Sequence, residues 1–269
     1  MWMGWHEVAA WFRAADQAGF DAGFVVDHFL SDLDGFEGDH GTTLEVWSIL
    51  GALAAETERI HIGPYVASVT HRVPGVLAKQ AATVDHISDG RLILGVGAGW
   101  HEREHAAYGI PFPSPRERVD LFGEAMEILR RFEAEERATF AGEHASVTDA
   151  PFSPAPVRGH LPILVGSRGK RMMRFVARYG DYWDLPSDLD RLPDLEERFL
   201  HMCDAEGRDP DAIVWVHEEI SPTAWDDLEA RVATLAPKGI SFFLVGVRPG
   251  QDPEVLERMT PVIERLRGG

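Results

Sequence analysis

Residues Arg91 to Trp100 read RLILGVGAGW, and His101 to His105 continue the chain as HEREH. Leu92 to Val96 is nearly continuous in apolarity, which suits a strand covered on both faces of a parallel sheet. Glycines close the run, and a helix is expected after them. The same unit recurs outward in both directions. Short apolar runs rich in β-branched residues or Phe stand at Ala22–Val26, Ile60–Val66, Pro162–Val165, Asp181–Leu185, Ile213–Val216 and Ile240–Val245. Between them apolar residues recur at three-to-four spacing: Val8, Trp11, Phe12 and Ala15; Val46, Ile49, Leu50 and Leu53; Val76, Leu77, Ala81 and Val84; Leu121, Ala125, Ile128 and Leu129; Val232 and Leu235; Val255, Met259 and Leu266. Strand and helix alternate throughout, which defines an α/β protein.

Punctuation agrees with this alternation. Thr42 and Glu45 have the spacing of a capping box, Pro74 suits a first helical turn, and Gly19 and Gly180 stand where helices end before strands. Phe140 to Pro156, FAGEHASVTDAPFSPAP, holds too many turn residues for a helix. It predicts an insertion at about 137–160 with a short hairpin, placed on a strand-to-helix connection and able to shape a substrate pocket, as the Phe29–Thr42 loop also would. No linker and no internal period appears, so 1–269 is read as a single domain.

The 269 residues suffice for one barrel of about 250. With 26 Lys and Arg against 44 Asp and Glu the net charge is −18, which argues against a nucleic-acid partner, since that affinity needs a basic surface. The lone cysteine, Cys203, cannot close an internal disulfide and reads as packing. No apolar run approaches a membrane span and no leader pattern opens the chain, so a cytoplasmic protein without a membrane partner is expected.

Chemistry in a parallel barrel sits at the carboxyl ends of the strands. Asp27 and His28 follow the first run, and a histidine there can exchange a proton with a bound molecule near neutral pH; a histidine bonded to a backbone carbonyl is the plainer alternative. Gly166, Ser167, Arg168, Gly169 and Lys170 lie between a strand and a helix, where bare backbone, amide groups and cations, Arg171 included, make a phosphate seat or else an ordinary turn. The loop lacks the spacing of a Walker A motif. Gly97, Ala98 and Gly99 let a cofactor approach the backbone, or simply turn the chain; the spacing misses the dinucleotide fingerprint. HEREH literally fits H-E-x-x-H, the zinc-peptidase pattern, yet it abuts Gly99 and shortly meets Pro111, Pro113 and Pro115. The preferred reading is a solvated first helical turn with Glu102 and Glu104 at the positive end of the dipole, and no metal is expected. Glu45 is accounted for by its cap. Asp85 and His86, with SDGR after them, fall at the foot of a strand, where residues serve stability.

The runs GFDAGFVVDHF (Gly19–Phe29), TLEVWSIL through GWHEREHAAYGIPF (Thr43–Phe112) and PILVGSRGKRMMRFVARYGDYWD (Pro162–Asp184) together resemble the luciferase-like monooxygenase superfamily. The resemblance is closest to its branch that uses the deazaflavin coenzyme F420, and runs from about Trp5 to Asp184. It implies a (β/α)8 TIM barrel with an insertion, and a cofactor that exchanges hydride with a small organic substrate at the carboxyl face. It places His28 and Asp27 near the cofactor ring, a non-prolyl cis peptide at Tyr65–Val66 behind it, and the Gly97–Gly99 and Gly166–Lys170 segments along its ribityl and phosphate portions. In the sugar-phosphate dehydrogenases of the superfamily a glutamate follows the glycine run as proton donor. This sequence has Trp100 there, so that reaction is not carried over, and Trp100 with Phe29 is read as wall of the substrate pocket. An FMN-dependent monooxygenase and a non-catalytic flavin-binding barrel are the competing functions, and the superfamily's habit suggests a homodimer. Members open with a strand before the helix that starts here near Trp5. A barrel lacking its first strand is therefore expected in this chain, with a start lying internal to a longer sequence or a gap covered by a partner.

Overall fold

The computed structural model describes residues 3–30, 43–166, 169–186, 188–219, 227–247 and 250–268. The chain enters on α1 (Trp5–Ala18), β1 (Ala22–Val25), α2 (Val46–Glu56), β2 (His61–Pro64), β3 (Ala67–Ser68), α3 (Pro74–Ile87) and β4 (Leu94–Gly97). It continues through α4 (Glu102–Tyr108), α5 (Pro115–Ala134), β5 (Arg137–Ala141), β6 (Ser146–Pro151), β7 (Ile163–Gly166), α6 (Lys170–Tyr179) and β8 (Tyr182–Asp184). Last come α7 (Leu192–Glu206), β9 (Val214–Glu219), α8 (Leu228–Leu235), β10 (Ile240–Val245), α9 (Glu254–Glu257) and α10 (Thr260–Gly268).

The expected apolar runs form a continuous parallel arc. β1 pairs with β2 from Ala22 opposite His61 to Val25 opposite Pro64, and a bridge from Ile62 to Leu92 joins β2 to the approach of β4. From β4 the order is β7, β8, β9 and β10, all parallel. Sequence reading takes Ile60–Val66 as one strand. The backbone instead stops at Pro64, passes a cis peptide at Tyr65–Val66, and resumes as β3, whose Ala67 and Ser68 pair with Val96 and Gly97 of β4. Among the described residues no pairing joins β10 to β1.

Burial on both faces explains the continuous apolar runs. Ile93, Leu164 and Val216 meet Phe24, Tyr182, Phe242 and Leu244 inside the arc. Their sequence neighbours Leu92, Leu94, Ile163, Val165, Trp183 and Trp215 face the helices instead. Trp183 stacks on Phe199 of α7 with centroids 4.8 Å apart and meets Trp215 edge-on at 5.4 Å. Cys203 is buried on the same helix, where desolvation pushes its thiol up to about 11, so it packs as expected. At the amino end of the strands Arg91 donates to the carbonyls of Ala54, Thr57 and Ile60, and Asp85 accepts from Val157 N–H at 2.8 Å. The foot of the strand is stabilised there, as SDGR suggests.

Three local expectations are corrected. Glu45 is itself the N-cap of α2 and accepts from Ser48 N–H at 2.8 Å, so the helix begins one residue after it; Thr42 lies outside the described residues. The insertion does form an antiparallel hairpin, β5 with β6, but it joins α5 to β7. That is a helix-to-strand connection. It packs by stacking Phe152 on Phe132 at 4.5 Å and lies away from the carboxyl face, so it does not shape the pocket there. Gly180 ends α6 without a left-handed turn, at φ −76°, whereas Gly19 takes one at φ 94°.

Candidate active site

A cavity of about 1470 Å³ opens at the carboxyl ends of the strands and runs on into the seam between β1 and β10. Asp27 and His28 reach it directly from the end of β1. Asp27 is buried, and its carboxylate accepts both nitrogens of Arg72, at 2.6 and 2.9 Å, and Ser68 N–H at 3.0 Å. Arg72 also donates to Glu45 at 2.8 Å, so the cap of α2 is tied to the site. Burial pushes the Asp27 carboxyl up, but His71 and the Arg72 guanidinium outweigh it and hold the group at about 2. The carboxylate is thus ionised and occupied by protein donors, which makes Asp27 an anchor.

A second buried carboxylate faces it. Glu104 accepts the backbone N–H groups of Phe29 and Leu30 on Oε1, the latter at 2.9 Å, and stands 3.1 Å from His28 Nδ1 through Oε2. His71 fills the space between the acids, with Nδ1 3.5 Å from Asp27 and Nε2 3.5 Å from Glu104. Burial raises Glu104, but His28 and the two N–H groups more than offset that and its carboxyl sits below the usual range. This overturns the reading of HEREH as a solvated turn: Glu104 and His105 are 0% exposed, whereas Glu102 and Arg103 face water. The peptidase geometry is also absent among the described residues, because the two histidines of the pattern do not converge. His105 directs Nδ1 to the His101 carbonyl at 2.8 Å and Nε2 to the Thr70 hydroxyl at 2.7 Å. His101 instead approaches Glu104 Oε2 at 3.9 Å, and the ligand-type atoms of His28, His101 and Glu104 lie within 4.8 Å of one another.

The Tyr65–Val66 peptide is cis, as the resemblance implies. Val66 occupies the space that glycine leaves on two neighbouring strands. A Cβ on Gly97 would lie 2.8 Å from Val66 Cγ2, and one on Gly166 2.9 Å from the same atom. Gly99, at φ +83°, makes room for the Ser68 and Thr70 hydroxyls, 2.5 to 2.6 Å from where its Cβ would be. The glycines therefore serve first to seat the bulge. Tyr65 donates its hydroxyl to Asp184 Oδ1 at 2.5 Å, across the cavity from β1.

Of the residues singled out from sequence, Asp27, His28, Tyr65, Val66, Gly97, Ala98, Gly99, Trp100 and Gly166 line this one cavity. Trp100 is 53% exposed at its mouth and meets the His28 ring edge-on at 5.5 Å. Phe29 does not reach the cavity; it packs on Tyr108 and His71, at 4.8 and 4.9 Å. Gly169 caps α6 and Lys170 opens it, both exposed, and Met172 of the same turn faces the cavity. Arg171 is paired to Asp120 at 2.5 Å, which removes part of the charge expected there. Ser167 and Arg168 lie outside the described residues. Sequence reasoning missed Arg72, His71 and the role of Glu104. The only trace of the first two was the dipeptide following Thr70 at a strand end.

Comparison with known proteins bears on the family and the fold. The family model for luciferase-like monooxygenases matches residues 3–251. A relative named F420-dependent glucose-6-phosphate dehydrogenase, from Beutenbergia cavernae, is 37% identical over 176 residues, 65% of this chain and 51% of that protein. The chain spans about half the length of the curated relatives it matches. The coenzyme F420-dependent tetrahydromethanopterin reductase of Methanopyrus kandleri superposes with a TM-score of 0.80 at 16% identity, covering 96% of this chain and 94% of that one. A riboflavin lyase solved with modified FMN gives 0.79 at 17% identity, with 98% and 84% covered. At such identities the superpositions speak for the fold, a luciferase-like TIM barrel. The family model covers nearly the whole sequence, and the chain belongs to the luciferase-like monooxygenase family.

Proposed function

We propose that this chain is an oxidoreductase dependent on coenzyme F420, moving hydride between the deazaflavin and a small organic substrate. One observation carries the reading: at the carboxyl face the Val66 bulge, seated on bare glycine backbone, shares a cavity with a histidine whose Nε2 has no hydrogen-bond partner among the described residues. Relatives named for F420 dependence support it. The residues fit a long, flat, phosphorylated group. Tyr65, Val66, Gly97, Ala98, Gly99 and Gly166 would hold its ring and chain, and Gly169 and Lys170 at the start of α6 its phosphate. When bound, the deazaflavin supplies the hydride donor or acceptor. His28 Nε2 takes the proton of a substrate hydroxyl, or returns it, while Trp100 walls the substrate and limits water. The glutamate that acts as acid in sugar-phosphate dehydrogenases has no counterpart at Trp100, so the substrate class is left open.

FMN is the competing occupant, since a neighbour of the same fold holds a modified form of it. Titration of the protein with each cofactor, followed by fluorescence quenching, separates the two. Saturable, stoichiometric quenching of F420 is expected. Tight binding of FMN with none of F420 would replace this reading by the monooxygenase one, and binding without turnover across a broad substrate panel would favour the non-catalytic barrel.

A further inference from the structure

We infer that Glu104 is a positioning residue that fixes the tautomer of His28, holding the ring proton on Nδ1 and turning the Nε2 lone pair to the cavity. Which imidazole nitrogen carries the proton is set by the hydrogen bond the other ring atom makes. Among the described residues three side chains face the His28 ring: Glu104, Trp100 with centroids 5.5 Å away, and His101 at 5.7 Å. Of these, only Glu104 reaches Nδ1 within hydrogen-bond distance, at 3.1 Å. An ionised carboxylate accepts and never donates, so Nδ1 must supply the hydrogen. Burial works against ionisation, but His28 and the two backbone N–H groups outweigh it and hold the Glu104 carboxyl below the usual range.

The carboxylate cannot turn away, because Oε1 is held by the N–H groups of Phe29 and Leu30, the residues that follow His28 in sequence. One side chain from α4 therefore fixes both the path of the chain after β1 and the ring before it. His28 then offers the cavity a proton acceptor, and the imidazolium formed on accepting a proton faces a carboxylate that stabilises it. The catalytic consequence rests on the oxidoreductase reading; the tautomer is a property of the free protein.

Glu104→Gln makes the inference sharp. The two backbone N–H groups need an oxygen at the Oε1 position, so the amide nitrogen must take the Oε2 position and donate to His28 Nδ1. The ring proton then moves to Nε2, and the cavity meets a donor where it had an acceptor. Long-range proton–nitrogen NMR of the full chain labelled with 15N-histidine reads this directly, the His28 signals being those that vanish in His28→Ala. The expected wild-type ring has a protonated Nδ1 and an unprotonated Nε2, and the pattern inverts in Glu104→Gln. With F420 bound, the inverted tautomer should lower turnover by about 10²- to 10⁴-fold. A wild-type ring protonated on Nε2, or one pattern shared by both proteins, overturns the inference, and the wild-type spectrum decides it alone if Glu104→Gln does not fold. Failure to bind F420 would sink the oxidoreductase reading and leave the tautomer result standing.

Discussion

His28 and Asp27 are adjacent in sequence, yet their surroundings divide their roles. Asp27 is saturated by Arg72, Ser68 and His71, so its charge organises the loop after β3, whereas His28 keeps one nitrogen for the cavity. His28→Ala should therefore weaken cofactor binding or slow turnover by about 10²-fold or more while shifting the melting temperature by only about 2 °C, since Glu104 keeps its bonds to Phe29 and Leu30. Parallel melting and titration curves check this; a large drop in melting temperature with normal cofactor binding would show a purely structural histidine. Glycines give a second test at this scale. Gly97→Ala places a Cβ 2.8 Å from Val66 and must move the bulge, at a cost of about 1–3 kcal/mol and a loss of cofactor affinity. Gly169→Ala meets nothing within 4 Å and should fold as the wild type does, so chemical denaturation of the pair separates space from backbone freedom. What sequence could show of these residues followed from one rule, that chemistry lies at strand ends. Glu104 escaped it because polar neighbours on a short helix after glycine look solvated, and its buried state depends on N–H groups more than 70 positions away.

Elements carry the same lesson in their connections. The strands were readable because burial on both faces leaves apolar runs without alternation. The break at Pro64 was not, because the run stays apolar while the chain changes partner from β1 to β4. The hairpin was recognisable from its turn residues, but its side of the barrel was not, since α4 and α5 both precede it and only the count of helices fixes the face. The link between that hairpin and β7 holds an ionic cluster at the opposite end of the strands. His160 Nε2 stands 3.1 Å from Asp181 and Nδ1 3.5 Å from Glu133, and these acids push the imidazole up to about 9 against burial and the charge of Arg130. A raised folded pKa gives stability that is complete below the ordinary value of 6.5 and fades as pH rises through about 9. The ring is half exposed, so solvent screening leaves about 1 kcal/mol. Melting curves of wild type and His160→Gln should differ most below pH 6.5 and converge above about 9; a constant gap would mean the ring acts by packing alone.

Across the whole molecule, two apolar layers hold the arc, one inside it and one beneath the helices, and a large cavity opens at the carboxyl face. That cavity extends between β1 and β10, where Trp11, Phe12 and Phe24 face Phe242 and Leu244. A cofactor thus has two environments open to it, the polar end around His28 and the apolar seam. No helix among the described residues is long and apolar enough to cross a membrane. The deazaflavin is proposed to bind at the polar end, on the Val66 bulge and the bare strands beside it. A crystal structure of the protein with coenzyme F420 tests it most directly. The ring is expected against the Tyr65–Val66 peptide, with His28 Nε2 facing the reacting side and the phosphate at the start of α6. A ring lodged in the seam between β1 and β10, or at the amino ends of the strands, would contradict it.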